Sequence, residues 1–332
     1  MKMNQPLKIV YMGTPEFAVA PLKALVNGGF NVVGVVTVPD KPAGRGRQLQ
    51  LSAVKQYALE NNLPLVQPER LRDENFIQQL KDWNADLFVV VAFRMLPEVV
   101  FSLPRCGTFN LHASLLPQYR GAAPINRAIM NGEKQTGVTT FFIDKQMDTG
   151  AIIFNESIAI ADDENAGQLH DKLMTIGANL VVKTVETIAN GAAQAVPQSI
   201  SPNVQIHEAP KITKETRQID WRNTPEIIYN QVRGLAPYPA VTADLQNRET
   251  GAISSMKILA ATIEKVPHNL PFGTLVVEKK TILKVACANG FIVITRLQPS
   301  GKQAMNAKEF LAGFREAEKY FLPLPPQSLN TG

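Results

Sequence analysis

Two polar side chains lie close together near the end of an apolar run in the middle of the chain. Asn110 and His112 are two positions apart in FNLHASLLPQYRGAAP, residues 109–124. In a β-strand this spacing places both side chains on the same face. Ser114, Pro117 and the glycine and proline that follow predict a loop directly afterwards. We therefore expect an amide and an imidazole on one face where a strand ends.

A carboxylate is the third candidate for chemistry. Asp148, in QMDTGAI at residues 146–152, lies in a predicted turn between two strand-like runs. Taken alone, each residue also has a purely structural explanation. Turns commonly use Asp to bond their own backbone, and a His at a strand end is often only a hydrogen-bonding group.

Taken together, the three side chains suit acyl-type transfer to an amine. The tetrahedral oxyanion of that reaction requires donors such as an amide and an imidazole N–H, and the attacking nitrogen must lose a proton. Asp148 could orient the imidazole, favour its protonated form, or accept that proton directly or through water.

The sequence offers little material for other kinds of site. The two cysteines, Cys106 and Cys287, are far apart and the four histidines are scattered, so no metal site is predicted. Two distant cysteines suit a reducing compartment better than a disulfide framework. Together with the lack of a signal-peptide core or a long apolar run, they predict a cytoplasmic protein without a membrane segment. GTPEF at 13–17 lacks the later glycines of a dinucleotide fingerprint, and no nucleophile elbow or phosphate loop occurs.

The first half of the chain predicts a parallel sheet that would position these residues. LKIVYMG, NVVGVVTV and DLFVVVA are β-branched apolar runs typical of strands buried on both faces, and they alternate with predicted helices. In such a sheet, ligands bind in the crevice outside the carboxyl ends of the strands. The predicted helices cover 17–26, 52–60, 75–83, 123–130 and 166–188.

The second half has a different texture. It follows a proline-punctuated stretch, VPQSISPNVQIHEAP, and contains one predicted helix at 225–233 and several short strand candidates, which favour a small β-barrel or sandwich. We predict a catalytic domain over 1–190, a linker over 191–210 and a C-terminal β-barrel domain over 211–325. The absence of coiled-coil heptads predicts a monomer.

The net positive charge comes entirely from residues 191–332. Residues 1–190 hold 18 Lys and Arg against 18 Asp and Glu, whereas residues 191–332 hold 16 against 11, which supplies the whole net charge of +5. Such a bias fits a surface that binds a polyanion, or a lysine-rich surface that only confers solubility.

Several motifs together resemble the methionyl-tRNA formyltransferase family, and the likeness covers nearly the whole chain. They are GTPEF at 13–17, PDKPAGRG at 39–46, FNLHASLLPQYRGAAP at 109–124, MDTG at 147–150, IDW at 219–221 and VRGLAPYPA at 232–240. The resemblance implies a Rossmann-like, mostly parallel sheet with helices on both faces, followed by a smaller C-terminal β-barrel of the oligonucleotide-binding type. It also implies formyl transfer, without a metal, from 10-formyltetrahydrofolate as co-substrate to the α-amino group of methionyl initiator tRNA.

The resemblance assigns roles to particular residues. The catalytic Asn, His and Asp fall on Asn110, His112 and Asp148. A folate-bordering element and a basic tRNA-binding loop are also implied, with Arg45 as the side chain expected to touch the acceptor stem. The residues so assigned are Ser114, Leu115, Leu116 and Pro117 for folate, and Lys41, Arg45 and Arg47 for tRNA.

Two departures from the family pattern affect the predicted site. Phe93 and Arg94 stand where many members have Tyr-Gly, near the expected pterin pocket, and Gln146 and Met147 stand where members often have Gly-Leu before the aspartate.

Other acceptors and another class of protein stay open at this point. A sugar-nucleotide formyltransferase would share the catalytic residues and the SLLP element, whereas the PDKPAGRG loop and the basic second half favour tRNA. A formyltetrahydrofolate hydrolase or a purine-pathway transformylase would not require that loop and barrel. A non-catalytic RNA-binding module would use the barrel alone and would leave the polar trio unexplained.

Overall fold

The computed structural model describes residues 6–43, 48–199 and 204–325. These residues form two compact units. The first unit comprises the described residues of Met1–Pro124, Gln135–Ala159 and His170–Pro210, and the second comprises those of Ile125–Lys134, Ile160–Leu169 and Lys211–Gly332.

The strands are numbered in chain order. They are β1 (Lys8–Gly13), β2 (Asn31–Val36), β3 (Lys41–Ala43), β4 (Gln48–Gln50), β5 (Leu65–Val66), β6 (Leu87–Val91), β7 (Thr108–His112), β8 (Arg120–Gly121), β9 (Gln135–Phe142), β10 (Ile152–Ala159), β11 (Glu208–Ala209), β12 (Val241–Asn247), β13 (Ile253–Glu264), β14 (Leu275–Glu278), β15 (Ile282–Cys287), β16 (Gly290–Pro299), β17 (Met305–Asn306) and β18 (Tyr320–Phe321).

Each of the six predicted helices is present, with both ends within two residues of the predicted positions. The helices in chain order are α1 (Val19–Asn27), α2 (Ala53–Glu60), α3 (Glu74–Trp83), α4 (Glu98–Phe101), α5 (Pro124–Met130), α6 (Ala166–Ala189), α7 (Pro225–Leu235) and α8 (Ala307–Gly313). The helices α4 and α8 were not predicted. Side-chain caps begin several of them: Ser52 Oγ accepts the Lys55 N–H at 3.1 Å, and Asp73 Oδ1 accepts the Asn75 N–H at 3.0 Å.

The first unit contains a seven-stranded sheet in the order β10-β9-β7-β6-β1-β2-β5. Its five strands from β7 to β5 are parallel, and β9 and β10 are antiparallel additions at one edge. The predicted mostly parallel sheet is therefore confirmed, with an antiparallel edge beside β7.

Helices cover both faces of this sheet. On one face, Phe76 and Leu80 of α3 join a core cluster with Val10, Phe88 and Val90. The opposite face packs against α6, where the hydroxyl of Thr184 lies 2.9 Å from that of Thr140 on β9. A Cβ at Gly177 would lie 2.8 Å from Leu111 Cδ2, so glycine permits the close approach of α6 to β7.

The second unit contains an antiparallel sheet that closes on itself. Its strand order is β14-β15-β16-β13-β12-β18, with β17 paired to β16. An antiparallel bridge between Thr274 and Phe321, and a 2.9 Å hydrogen bond from the Leu322 N–H to the Gly273 carbonyl, join the two ends. Trp221 and Ile292 are among the fully buried core residues of this unit. The predicted C-terminal β-barrel is therefore confirmed.

No helix in the described ranges combines the length and the apolar character that crossing a membrane requires.

Candidate active site

Asn110 and His112 lie on β7, which ends at His112. Both side chains lie on the sheet face that Val90 of β6 also occupies, since Asn110 is the parallel partner of Val90. His112 is buried at 6 % exposure. Asn110 is partly exposed, and its side-chain amide makes no hydrogen bond to any residue in the described ranges. An amide and a buried imidazole thus lie on one face where the strand ends.

Asp148 reaches the same place by a route that periodicity does not reveal. Because β9 is antiparallel to β7, its last residue, Phe142, lies opposite Phe109, away from His112. Residues 143–151 then return toward the end of β7. As a result, Asp148 Oδ2 lies 3.8 Å from His112 Nδ1, with side-chain exposures of 13 % and 7 % respectively. The structure therefore brings Asp148 to His112, which shares a face of β7 with Asn110 two positions earlier.

One ring nitrogen of His112 is committed to the backbone. Nε2 lies 2.8 Å from the Tyr119 carbonyl oxygen. A carbonyl oxygen can only accept, so Nε2 must carry a proton and donate it. The other nitrogen, Nδ1, faces Asp148 at an ion-pair distance that is too long for a direct hydrogen bond. Nδ1 is consequently the ring atom that can serve a substrate.

Asp148 is held in an unusual backbone conformation. Its φ is +56°, in the left-handed region that Asp tolerates better than most residues. The Gly121 N–H donates to Asp148 Oδ2 at 2.9 Å and so fixes the carboxylate. Gly121 itself has φ +122°, and a Cβ there would lie 2.6 Å from the Ala209 carbonyl oxygen, so this position requires glycine.

The loop after β7 is fastened by residues that the sequence predicted to lie in a linker. Strand β11 pairs in parallel with β8, and the Tyr119 N–H donates to the His207 carbonyl at 2.7 Å. The Gln118 side chain donates to the Gln205 carbonyl at 2.8 Å and accepts the His207 N–H at 2.9 Å. These contacts determine where the Tyr119 carbonyl and the Gly121 N–H lie.

Gln198 was also missed by sequence reasoning. Its side-chain amide donates to the carbonyls of Asp148 and Gly150, both at 2.9 Å, and its Oε1 accepts from Arg120 Nη2 at 2.6 Å. The proline-punctuated stretch around it indicated a linker, and no local pattern in a single sequence could pair Gln198 with a turn 50 residues earlier.

The SLLP element, Ser114 to Pro117, continues directly from β7. The Ser114 hydroxyl is buried and donates to the Gln118 carbonyl at 2.6 Å, while Thr139 Oγ1 donates to the Ser114 carbonyl at 2.7 Å. Leu116 is 6 % exposed, and its N–H donates to Thr139 Oγ1 at 3.2 Å. Ser114 and Leu116 are thus buried within the protein, whereas Leu115 and Pro117 are partly exposed.

The two residues that depart from the family pattern after β6 have structural partners. Phe93 packs against the core cluster under α3, and the Arg94 guanidinium lies 5.2 Å from its ring centroid. Arg94 donates to the carbonyls of Pro68 and Glu69 at 2.7 and 3.0 Å. Partial burial lowers the pKa of this guanidinium. Arg94 therefore links residues 68–69 to the loop that follows β6 by two hydrogen bonds.

The predicted tRNA-binding loop is only partly within the described residues. Lys41 begins β3, whose backbone pairs antiparallel with β4. Arg45 and Arg47 lie outside the described residues.

Some of the lysines counted in the second unit are paired with glutamates, so they do not add to a positive surface. Between positions 257 and 308 the sequence has eight Lys and Arg and only two acids, Glu264 and Glu278. Lys284 of this stretch is buried and contacts both acids, Glu264 at 2.6 Å and Glu278 at 2.7 Å. These two carboxylates, Glu264 foremost, raise the pKa of Lys284. Lys265 pairs with Glu226 at 2.6 Å. The remaining cations of the stretch are exposed or half-buried and belong to the surface: Lys257, Lys279, Lys280, Arg296, Lys302 and Lys308.

No group of three or more His, Cys, Asp or Glu side chains in the described ranges is arranged to hold a metal ion.

The fold and the site define a formyl transferase with two domains. Residues 7–185 match the family described as "Formyl transferase", and residues 211–315 match "Formyl transferase, C-terminal domain". Within this class, the chain belongs to the methionyl-tRNA formyltransferase family. It is 52% identical over 318 residues to the methionyl-tRNA formyltransferase of Bacteroides thetaiotaomicron, covering 96% of this chain and 98% of the relative. It is 51% identical over 309 residues to that of Flavobacterium johnsoniae, covering 93% and 96%.

Solved structures share the fold at much lower identity. WlaRD, a sugar 3N-formyl transferase crystallised with dTDP and 5-N-formyl-THF, superposes with a TM-score of 0.62 at 21% identity, covering 90% of this chain and 100% of that one. HypX from Aquifex aeolicus in complex with tetrahydrofolic acid gives a TM-score of 0.61 at 15% identity, covering 92% and 47%. These two likenesses concern the fold alone.

Proposed function

We propose that this protein transfers the formyl group of 10-formyltetrahydrofolate to the α-amino group of methionyl initiator tRNA. The observation that carries the proposal is that Asn110 and His112 share a face at the end of β7, where the Asp148 carboxylate lies 3.8 Å from His112 Nδ1. The names of relatives that are about half identical over 96% of the chain support methionyl-tRNA as the acceptor. Folate compounds named with the solved structural neighbours support a folate donor.

In the proposed mechanism the methionyl amine attacks the formyl carbon of the donor. The carbonyl oxygen gains negative charge, and the Asn110 amide and a protonated His112, through Nδ1–H, donate to it. His112 can present Nδ1 in this way because Nε2–H is held by the Tyr119 carbonyl. When the tetrahedral intermediate collapses, the bond from the formyl carbon to the folate nitrogen breaks. That nitrogen takes up the proton released by the attacking amine, passed on from Asp148 directly or through one water, and tetrahydrofolate leaves as the neutral amine.

Asp148 has two roles in this mechanism, one electrostatic and one in proton transfer. Its carboxylate, 3.8 Å from Nδ1, stabilises the imidazolium and is also placed to take the proton released by the amine, directly or through one water. The groups that this reaction needs are thus an amide, an imidazole and a carboxylate.

We further propose that the first unit binds the folate and the reacting amine, while the basic surface of the second unit and the loop with Lys41, Arg45 and Arg47 bind tRNA. Phosphate contacts from Lys and Arg would position the tRNA, and their strength should fall steeply with salt. The domain boundaries at 190 and 211, the cytoplasmic location and the monomeric state stay predictions.

The acceptor can be tested with purified protein and 10-formyltetrahydrofolate. Methionyl initiator tRNA, a 4-amino-4-deoxy sugar nucleotide and water are offered in parallel reactions. We expect formyl transfer to the tRNA and negligible transfer to the sugar. Transfer to the sugar alone would establish a sugar formyltransferase that uses the same three side chains, and release of formate alone would establish a hydrolase.

A further inference from the structure

A closed ring of hydrogen bonds surrounds the backbone of Asp148. The two N–H groups of the Gln198 side chain donate to the carbonyls of Asp148 and Gly150, both at 2.9 Å. Gln198 Oε1 accepts from Arg120 Nε at 3.2 Å and Nη2 at 2.6 Å. The residue after Arg120 is Gly121, whose N–H returns to Asp148 Oδ2 at 2.9 Å.

The chemistry of the partners fixes the orientation of the Gln198 amide. The two backbone carbonyls only accept and the guanidinium only donates. A rotated amide would direct its oxygen at two carbonyl oxygens and its NH₂ at a cation, so only the orientation described satisfies all four bonds. Gln198 therefore has its full complement of partners, and all of them belong to the two chain segments that hold the Asp148 carboxylate.

We propose that Gln198 is a positioning residue for the transfer reaction, acting through Asp148. The bonds to the carbonyls of residues 148 and 150 hold a turn in which Asp148 has φ +56°, a conformation that a non-glycine residue rarely adopts unaided. The bond to Arg120 holds the neighbouring segment whose Gly121 N–H orients Oδ2. The bonds described for Gln198 go to backbone carbonyls and to Arg120, so its effect on the reaction is exerted through the turn that carries Asp148. The inference rests on the proposed function of Asp148.

An isosteric substitution removes the hydrogen bonds that Gln198 donates to the carbonyls of residues 148 and 150 and keeps the one that it accepts from Arg120. Gln198→Glu keeps the shape and keeps an acceptor for Arg120, but it replaces both N–H donors with a carboxylate oxygen directed at two carbonyls. If the donors matter, Gln198→Glu and Gln198→Ala should both lower kcat about 10- to 100-fold, the scale on which small misplacements reduce catalysis, with KM for methionyl-tRNA unchanged. Gln78→Glu is the matched control, because the Gln78 side chain bonds to Asp82 on the exposed surface of α3, in a helix away from the Asp148 turn.

A double-mutant cycle separates positioning from a general loss of structure. If Gln198 acts through Asp148, then Gln198→Glu should cause no further loss of kcat in an Asp148→Asn background. Retention of more than half of the wild-type kcat by Gln198→Glu would overturn the proposal. Additive losses in the cycle would also overturn it, since they would show that Gln198 supports the fold independently of Asp148.

Failure of this inference can be distinguished from failure of the proposed function. The wild type is assayed first with each acceptor, and the cycle is then measured with the acceptor that is formylated. Absence of transfer to methionyl-tRNA would refute the proposed function. At normal wild-type activity, additive losses in the cycle or an almost unchanged kcat in Gln198→Glu would refute only the role of Gln198.

Discussion

The charge on Asp148 is predicted to be essential, and Asp148→Asn removes it with little change of shape. The asparagine can still accept the Gly121 N–H through its Oδ1, so the loop keeps its main side-chain bond. The substitution removes a negative charge that lies 3.8 Å from His112 Nδ1, and both side chains are largely buried. At an effective dielectric constant of about 20, two unit charges at that separation attract by about 4 kcal/mol.

If this attraction is fully developed in the transition state, its loss lowers kcat by about 10³-fold, at about 1.4 kcal/mol for each factor of ten. The loss of a proton acceptor acts in the same direction. Single-turnover formyl transfer to methionyl-tRNA, followed by rapid quenching, measures this rate without a contribution from product release. Affinity for tRNA should stay near the wild-type value, because Asp148 contacts His112 and the protein backbone.

The matched control is Asp144→Asn, which makes the same chemical change in the same loop. Asp144 Oδ1 accepts from the Gln146 N–H and the Thr149 hydroxyl, and an asparagine oxygen can do the same. We expect a rate within about threefold of wild type, since the substitution preserves the loop. A rate within tenfold of wild type for Asp148→Asn, or equal losses for the two variants, would refute the assignment of the Asp148 charge.

Two further predictions concern a loop glycine and a buried thiol. Gly121→Ala should lower kcat at least about 100-fold, because a Cβ would lie 2.6 Å from the Ala209 carbonyl at a φ of +122° and would displace the N–H bonded to Asp148. Gly251→Ala, at φ +71° with open space around it, should cost about 1 kcal/mol of stability and no activity; equal kinetic losses would contradict this reasoning. Burial, aided by Glu226, raises the pKa of the Cys287 thiol from 9.0 to about 11, so the thiol is protonated in the folded state where the unfolded chain already ionises. Its contribution to the free energy of unfolding, about 2 to 3 kcal/mol, is complete below pH 9 and should be lost as the pH rises toward 11. Urea titrations across this range should show the fall in wild type and a smaller fall in Cys287→Ala; equal falls would refute the assignment.

The parts of the site that follow strand periodicity could be predicted from the sequence. The two-residue spacing of Asn110 and His112 predicted a shared face at a strand end, and β7 ends at His112. The parallel sheet was predictable for the same reason, since strands buried on both faces leave continuous β-branched runs. The barrel was predictable from short strands separated by turns, and its closure between Thr274 and Phe321 was not, because closure depends on pairing over 47 residues of sequence.

The supporting contacts were beyond sequence reasoning because they join distant segments. Asp148 approaches His112 from an antiparallel edge strand and a returning loop, so its place cannot be read from the alternation of β9 and β10. Gln118, Gln198 and His207 lie in or contact a proline-punctuated stretch that predicted a linker, and only the structure shows them beside the catalytic loop. The count of basic residues likewise could not show that Lys284 is buried between two glutamates.

The central claim is that the side chains at the end of β7 carry out formyl transfer to methionyl-tRNA. The most direct measurement compares the single-turnover rate of that transfer in wild type and in Asn110→Ala, with tRNA affinity measured on the same preparations. Asn110 makes no side-chain hydrogen bond within the described ranges, so its removal should leave the fold unchanged. We predict rapid transfer by wild type and a loss of about 10²- to 10³-fold in the variant, as for removal of one oxyanion donor, at unchanged affinity. Equal rates for the two proteins would contradict the claim.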